Sequence, residues 1–225
     1  MCIRDRAYPD IFNLHGDRGN ILALMRVSSL MGSTLKIERV ENFSDDIDFE
    51  NTDIIYVPPS ETLSALRCAE VLLKRRSHFE EYINRGGLIF VVGTSMAVFA
   101  VSTLRRDGSV YEGLGLADVT LKELRSAYTN DEVFITDKFG DHMELVGCQI
   151  QMLKADVKKG QQLGRKLYGY GNCKGKYEGV CLNGFIQTNL LGPALVKNPW
   201  FAEGILKTEM CIRDRFRMWQ KLRFF

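Results

Sequence analysis

The residues best placed for covalent chemistry are Thr94 and Ser95, on a short turn between two apolar runs, GLIFVV (87–92) and MAVFAVSTL (96–104). A tight strand-to-helix turn exposes the side chain at its apex and aims backbone N–H groups at whatever binds there. A hydroxyl is a poor nucleophile unless a base lies beside it. No histidine is close to this turn in the sequence pattern. His15 lies in an early segment, YPDIFNLHGDRGNILALMR (8–26), and His142 is near Cys148 in a segment that reads as a hairpin away from the turn. Cys68, Cys148, Cys173 and Cys181 form no C-x-x-C pair and have no histidine at metal-ligand spacing. The expectation is no metal site, no cofactor, and reduced thiols in a cytoplasmic protein.

The elements that must position this turn are legible in the patterning. GNILALMRVSSLMG (19–32) has helical spacing closed by Gly32, and STLKIERV (33–40) reads as a strand. An acidic linker, ENFSDDIDFEN (41–51), precedes DIIYV (53–57), a buried strand stopped by Pro58 and Pro59. Residues 61–85 read as one long amphipathic helix, with Ser60 as N-cap and Gly86–Gly87 as its stop. The run 96–104 reads as a further helix. This alternation of strand and helix predicts a mainly parallel, doubly wound sheet. In the second half, EVFITDKF, HMELVGCQIQML, LGRKLYGYGN and YEGVCLNGFIQT are separated by Gly and Asn and read as antiparallel hairpins beside that sheet. PWFAEGILK (199–207) reads as a helix entered through Pro199. No apolar run is long enough to span a membrane.

The hexapeptide MCIRDR occurs at 1–6 and again at 210–215 with nothing similar around the two copies. It resembles the translation of a synthetic sequencing adapter. Residues 7–209 are therefore read as the domain, with 1–6 and 210–225 as non-native ends and the native C-terminus missing. The charge changes accordingly. The whole chain carries +2, each hexapeptide +1 and FRMWQKLRFF +3, which leaves −3 for residues 7–209. An acidic domain argues against a nucleic-acid partner.

Four stretches together carry a resemblance: residues 8–26; GGLIFVVGTSMAVFA (86–100); GLGLADVT (113–120); and LGRKLYGYGNCKGKYEGV (163–180) continuing into GFIQTNLLGPALVKNPWFAEGIL (184–206). They resemble the class I glutamine amidotransferase domain of cobyric acid synthase type, and within it the small glutaminase subunits that pair with a Mur-ligase-like synthetase subunit to amidate lipid II. The resemblance implies an α/β, flavodoxin-like fold with a mainly parallel sheet flanked by helices. It also implies a cysteine nucleophile at the elbow and a histidine that takes the thiol proton and returns it to departing ammonia. Family members carry a C-G-G-Y-Q-like run at the elbow; here it is Gly93-Thr94-Ser95-Met96-Ala97, so the nucleophile position is Gly93. The histidine precedes a Gly-Pro; here the run is Thr188-Asn189-Leu190-Leu191-Gly192-Pro193, so the base position is Leu191. Two further stretches depart from the pattern: the loop after DIIYV is PPSET (58–62), and a G-F-E-N-H-like stretch has become Gly147-Cys148-Gln149-Ile150-Gln151.

A glycine at 93 keeps a strained elbow but cannot attack a carbonyl. The resemblance thus implies a degenerate subunit, with Thr94, Ser95 and Arg125 as pocket candidates and a glutamine-like molecule as the ligand. Asp17, Arg18 and Asn20 of GDRGN read either as a polar loop near a subunit interface or pocket, or as an N-cap and turn. Gly113-Leu114-Gly115 reads as a turn, and Lys158–Lys159 as solvated surface. Two alternatives stay open: an active glutaminase with a displaced nucleophile, and a small-molecule binding module.

Overall fold

The computed structural model describes residues 2–7, 12, 14–41, 45–140, 142–172 and 175–209. Cys173, most of residues 8–13, part of the acidic linker and the whole of 210–225 lie outside the described residues.

Two mixed layers are built from two sheets. The first contains β1 (Cys2–Ala7), β2 (Lys36–Val40), β3 (Ile54–Val57), β4 (Leu88–Val92), β11 (Val180–Leu182) and β12 (Phe185–Thr188), in the order β11-β12-β4-β3-β1-β2. All its pairings are parallel except β11 with β12, which form a hairpin at the edge. The segment set apart in the sequence, residues 1–6, supplies most of β1. Its pairing with β2 and β3 uses backbone groups alone, which any non-proline residue offers.

Strands β3, β4 and β12 are apolar on both faces because both faces are covered. Ile55, Val57, Ile89, Val91 and Phe185 enter one core; Ile54, Tyr56, Leu88, Phe90, Val92 and Ile186 enter the other. The first core takes α2 (Thr62–Leu72), α3 (Arg76–Asn84) and α4 (Met96–Phe99). The second takes α1 (Arg18–Leu30), α5 (Ala194–Lys197) and α6, which spans 199–209.

Two expected helices differ. The stretch 61–85 is broken at Leu73–Arg75 into α2 and α3, and its N-cap position is Glu61, not Ser60. The helix expected over 96–104 stops at Phe99, and Ser102–Leu104 becomes β5 of the second sheet. Tertiary hydrogen bonds take the place of the missing turns. The carbonyls of Val98, Phe99 and Ala100 accept from Leu114, Ala117 and Gly115 at 2.8, 3.0 and 3.0 Å. Gly113 makes this approach possible, since a Cβ there would lie 2.3 Å from the Ala100 carbonyl oxygen. The GLG stretch is thus a backbone clamp on the end of α4.

The second sheet is built on a long hairpin, β7 (Val119–Thr136) with β8 (Met143–Val157). Around it lie β5, β6 (Val110–Glu112), β9 (Gly164–Tyr168) and β10 (Tyr177–Glu178). The hairpin expected over EVFITDKF and HMELVGCQIQML is present and lies against the first core through Leu121 and Leu153, whereas that of YEGVCLNGFIQT joins the first sheet, where β12 pairs parallel with β4.

GDRGN packs inside the molecule. Gly19 has no side chain where Pro193 approaches; a Cβ would come within 2.3 Å of its ring. Asn20 is fully buried and donates to Asp17 Oδ1 (2.7 Å) and the Tyr56 hydroxyl (3.0 Å), while its Oδ1 accepts the Leu195 N–H (2.7 Å). Of the three polar candidates here, Asp17 and Asn20 are interior and only Arg18 is exposed. Asp17 occupies the N-cap position of α1 without a side-chain cap bond, its carboxylate being turned to Asn20. Removing the Asn20 carboxamide strands a buried N–H and a buried hydroxyl. Asn20→Ala is expected to cost about 1–3 kcal/mol, read from denaturant midpoints at unchanged m-value.

Candidate functional site

The elbow forms where β4 ends. Gly93 has φ +61°, Gly93–Ser95 makes one tight turn, and α4 follows. This left-handed backbone is one that residues with a side chain rarely adopt, and glycine takes it without strain. A Cβ built at Gly93 would meet Pro59 Cβ at 3.3 Å and Leu191 Cδ2 at 3.5 Å. The two positions singled out in the sequence, 98 residues apart, therefore face each other across van der Waals contact. Leu191 is buried at 2% exposure, so the space in front of the elbow is closed by hydrocarbon.

The neighbouring hydroxyls are occupied. Thr94 Oγ1 donates to the Ser60 carbonyl. Ser95 Oγ donates to the Pro58 carbonyl (2.5 Å) and lies 3.0 Å from Ser60 Oγ. With its one proton committed to Pro58, Ser95 must accept from Ser60. Hydroxyls used in this way latch the elbow to the PPSET loop, and both have their proton committed to a backbone carbonyl. Thr94 lines the cavity at the elbow, whereas Ser95 is fully buried behind it.

That cavity has a volume of about 200 Å³ and includes Leu14, His15, Glu61, Gly93, Ile150 and Leu191 in its wall. His15 is the histidine that sequence reasoning did not bring here. Its backbone is left-handed, φ 61°, and the Leu14 N–H donates to the Pro59 carbonyl at 3.3 Å, which carries the 14–16 turn to the elbow. Arg125 is absent from the wall. It lies on the exposed stretch of β7 where the register with β8 shifts between Glu123 and Tyr128, and its carbonyl accepts from Arg106 (3.0 Å). The bulge takes this stretch out of the ladder, and position 125 is not among the residues that line the elbow cavity.

Cys148 comes nearer than its place in a hairpin suggested. The Leu191 N–H donates to the Cys148 carbonyl (2.7 Å), and the Cys148 thiol donates to the Leu191 carbonyl (3.4 Å). The thiol is a clasp on the 191 loop. His142 has no part in it, since it is exposed and paired with Asp137 (2.8 Å). Among the described residues no three His, Cys, Asp or Glu side chains are grouped to hold a metal ion.

Beside the elbow lies a buried polar hub. Asn172 clasps Gly179 through both its amide groups (2.9 and 3.0 Å). Glu178 accepts from the Asn189 N–H (2.6 Å), Asn189 Nδ2 (2.8 Å) and Thr188 Oγ1 (3.0 Å). These are the residues of the GN…EG pair, and they hold the segment that leads into Leu191. Glu132 on β7 is buried alongside. Burial first, and then the charge of Glu178, push its carboxyl up to about 9, against the pull of Lys166. Burial raises Glu178 as well, but its donors favour the charged form, so the pair keeps its proton on Glu132.

The comparisons fit this geometry. No family model matches the chain. It is 28% identical over 191 residues to the lipid II isoglutaminyl synthase (glutamine-hydrolyzing) subunit GatD of Staphylococcus aureus, covering 84% of this chain and 76% of that protein. With the corresponding GatD of Streptococcus pneumoniae it shares 24% over 206 residues, covering 90% and 78%. Among solved structures, a glutamine amidotransferase superposes with TM-score 0.56 at 13% identity over 88% of this chain and 96% of that one. PurLQS from Thermotoga maritima superposes with TM-score 0.61 at 11% identity over 93% and 96%. The chain has the fold of the glutamine amidotransferases. Its similarity in sequence is to GatD subunits, and its fold is the class I glutamine-amidotransferase-like α/β fold read from the motifs.

The hub of this amidotransferase-like domain has a consequence for stability. Folded Glu132 stays protonated up to about pH 9, while the unfolded chain ionises near the ordinary 4.5. Its contribution is complete below the lower value and is lost as pH rises through the higher one. Glu132→Gln, which keeps the neutral shape, is expected to flatten the fall in Tm between these limits. At about pH 8.5 it should melt above wild type, by roughly 2–4 °C for each kcal/mol regained. Melting curves across pH check this.

Proposed function

We propose that this protein is a subunit of a lipid II amidating complex that has kept the amidotransferase scaffold and does not itself hydrolyse glutamine. It works in the cytoplasm beside a Mur-ligase-like synthetase subunit, which it binds and shapes. The similarity to the two GatD subunits supports the pathway. One observation carries the loss of hydrolysis: Gly93 and Leu191 stand face to face at the elbow, with neither a thiol nor an imidazole between them. Acyl transfer needs a nucleophile and a group to receive its proton. Thr94 and Ser95 are committed to the PPSET loop, and Cys148 to the 191 loop.

Purified protein with its synthetase partner is expected to release no ammonia from glutamine and to form no adduct with the glutamine analogue diazo-oxo-norleucine. An adduct found by mass spectrometry would overturn the proposal and identify the displaced nucleophile by its position. Ammonia release that survives Gly93→Ala would do the same for the rest of the elbow. Restoring the pair tests the assignment from the other side. A Cβ at 93 meets only ordinary or slightly tight contacts but strains the left-handed backbone, so Gly93→Cys combined with Leu191→His is expected to lower stability and to become alkylated where wild type is not.

A second reading rests on the cavity of about 200 Å³ in front of Gly93. In this reading the elbow binds a glutamine-like molecule without cutting it. Glutamine and glutamate are then expected to raise the melting temperature, and Leu191→Trp, which fills the cavity, to abolish the shift.

A further inference from the structure

A second, much smaller pocket of about 10 Å³ is bounded in part by Gly93, Thr94, Gln151, Met152, Gln187 and Asn189. Its volume matches the space that one water-sized molecule requires. Its wall contains two carboxamides that are almost completely buried, Gln151 at 3% exposure and Gln187 at 1%. Gln187 Nε2 donates to Asn189 Oδ1 (3.1 Å), which fixes which end of this amide is left over. Gln187 Oε1, Gln151 Oε1 and Gln151 Nε2 have no hydrogen-bond partner among the described residues.

Leaving three such atoms unpaired in the interior would carry their desolvation penalty with nothing to offset it. Together they offer two acceptors and one donor around a space for one heavy atom. We propose that this pocket is a binding site for a single uncharged hydrogen-bonding molecule that donates twice and accepts once. Water and ammonia both have that valence. Ammonium does not, because it has no lone pair for Gln151 Nε2, and no ionised side chain lines the pocket to balance its charge.

The small pocket adjoins the larger cavity, and Gly93, Thr94, Ile150 and Met152 belong to both walls. Its lining is mostly apolar apart from the carboxamides and Thr94, so those polar groups have little else to bond. Gln151 belongs to the stretch 147–151 that departs from the family pattern, so the site is a property of this chain's own residues.

The test is a high-resolution crystal structure paired with nuclear magnetic resonance in solution. Density is expected about 2.7–3.2 Å from Gln151 and Gln187 Oε1. Long-lived cross-peaks from the Gln151 and Gln187 side-chain N–H protons to water are expected with it. Direct pairing of the two carboxamides, with no density between them, would overturn the assignment. Gln151→Met removes two of the three contacts, and the Gln187 cross-peak is expected to disappear while the fold's backbone spectrum persists. A Gln187 cross-peak unchanged in Gln151→Met would also overturn it. Titration with ammonium chloride at alkaline pH, against potassium chloride, separates the two sources. Gln187 shifts seen only with ammonium chloride assign ammonia as a ligand beside water, and no shift assigns water alone.

Discussion

The segment from Thr188 to Asn198 contains one short helix and little other regular structure, so its backbone groups must find partners elsewhere in the molecule. The Asn189 N–H goes to Glu178, the Leu190 N–H to Thr188 Oγ1, the Leu191 N–H to the Cys148 carbonyl and the Leu195 N–H to Asn20. Asn198 completes the set by bonding both the N–H and the carbonyl of Val146 (2.9 and 2.8 Å). Side chains from α1, β8 and β10 thus hold one stretch of chain against the end of the parallel sheet. Everything at the elbow depends on it, because this stretch carries Leu191 to Gly93.

If the subunit is non-hydrolytic, as proposed, this arrangement accounts for a scaffold kept without a nucleophile and a base. The loop position of 191 is set by backbone bonds and by Cys148, and any side chain of suitable volume can occupy it. The turn at 93 is set by its φ and by the latch from Thr94 and Ser95 to the PPSET loop. Glycine relieves the strain that a nucleophile at this place would carry. Leu191 puts hydrocarbon against the elbow, where the resemblance places a base. In the proposed non-hydrolytic subunit, both changes favour the fold at the expense of the chemistry.

The buried Glu132–Glu178 pair is part of the same loop support. Glu178 satisfies three donors of the 188–189 segment, and Glu132 shares its surroundings as a neutral acid. Glu178 acts here as a hydrogen-bonding group first, and the donors it gathers from the 188–189 segment offset the cost of its burial.

Much of the fold was legible in the sequence because the central strands are short apolar runs bounded by proline, glycine or asparagine. The pairing of positions 93 and 191 was legible only through motif resemblance, since nothing in their residue types suggests a site. The helix expected over 96–104 failed because residues 113–117 capture the carbonyls at its end, a bond between segments that no local pattern records. Arg125 failed because a register shift turns it outward. His15, Gln151 and Gln187 carried no signal of their own. By itself the sequence determined which segments would be the buried central strands, since that follows from residue type and order. Only the tertiary structure decided which groups face Gly93, where GDRGN is buried and which hydroxyls are already committed. Those outcomes depend on hydrogen bonds and close approaches between parts of the chain far apart in sequence.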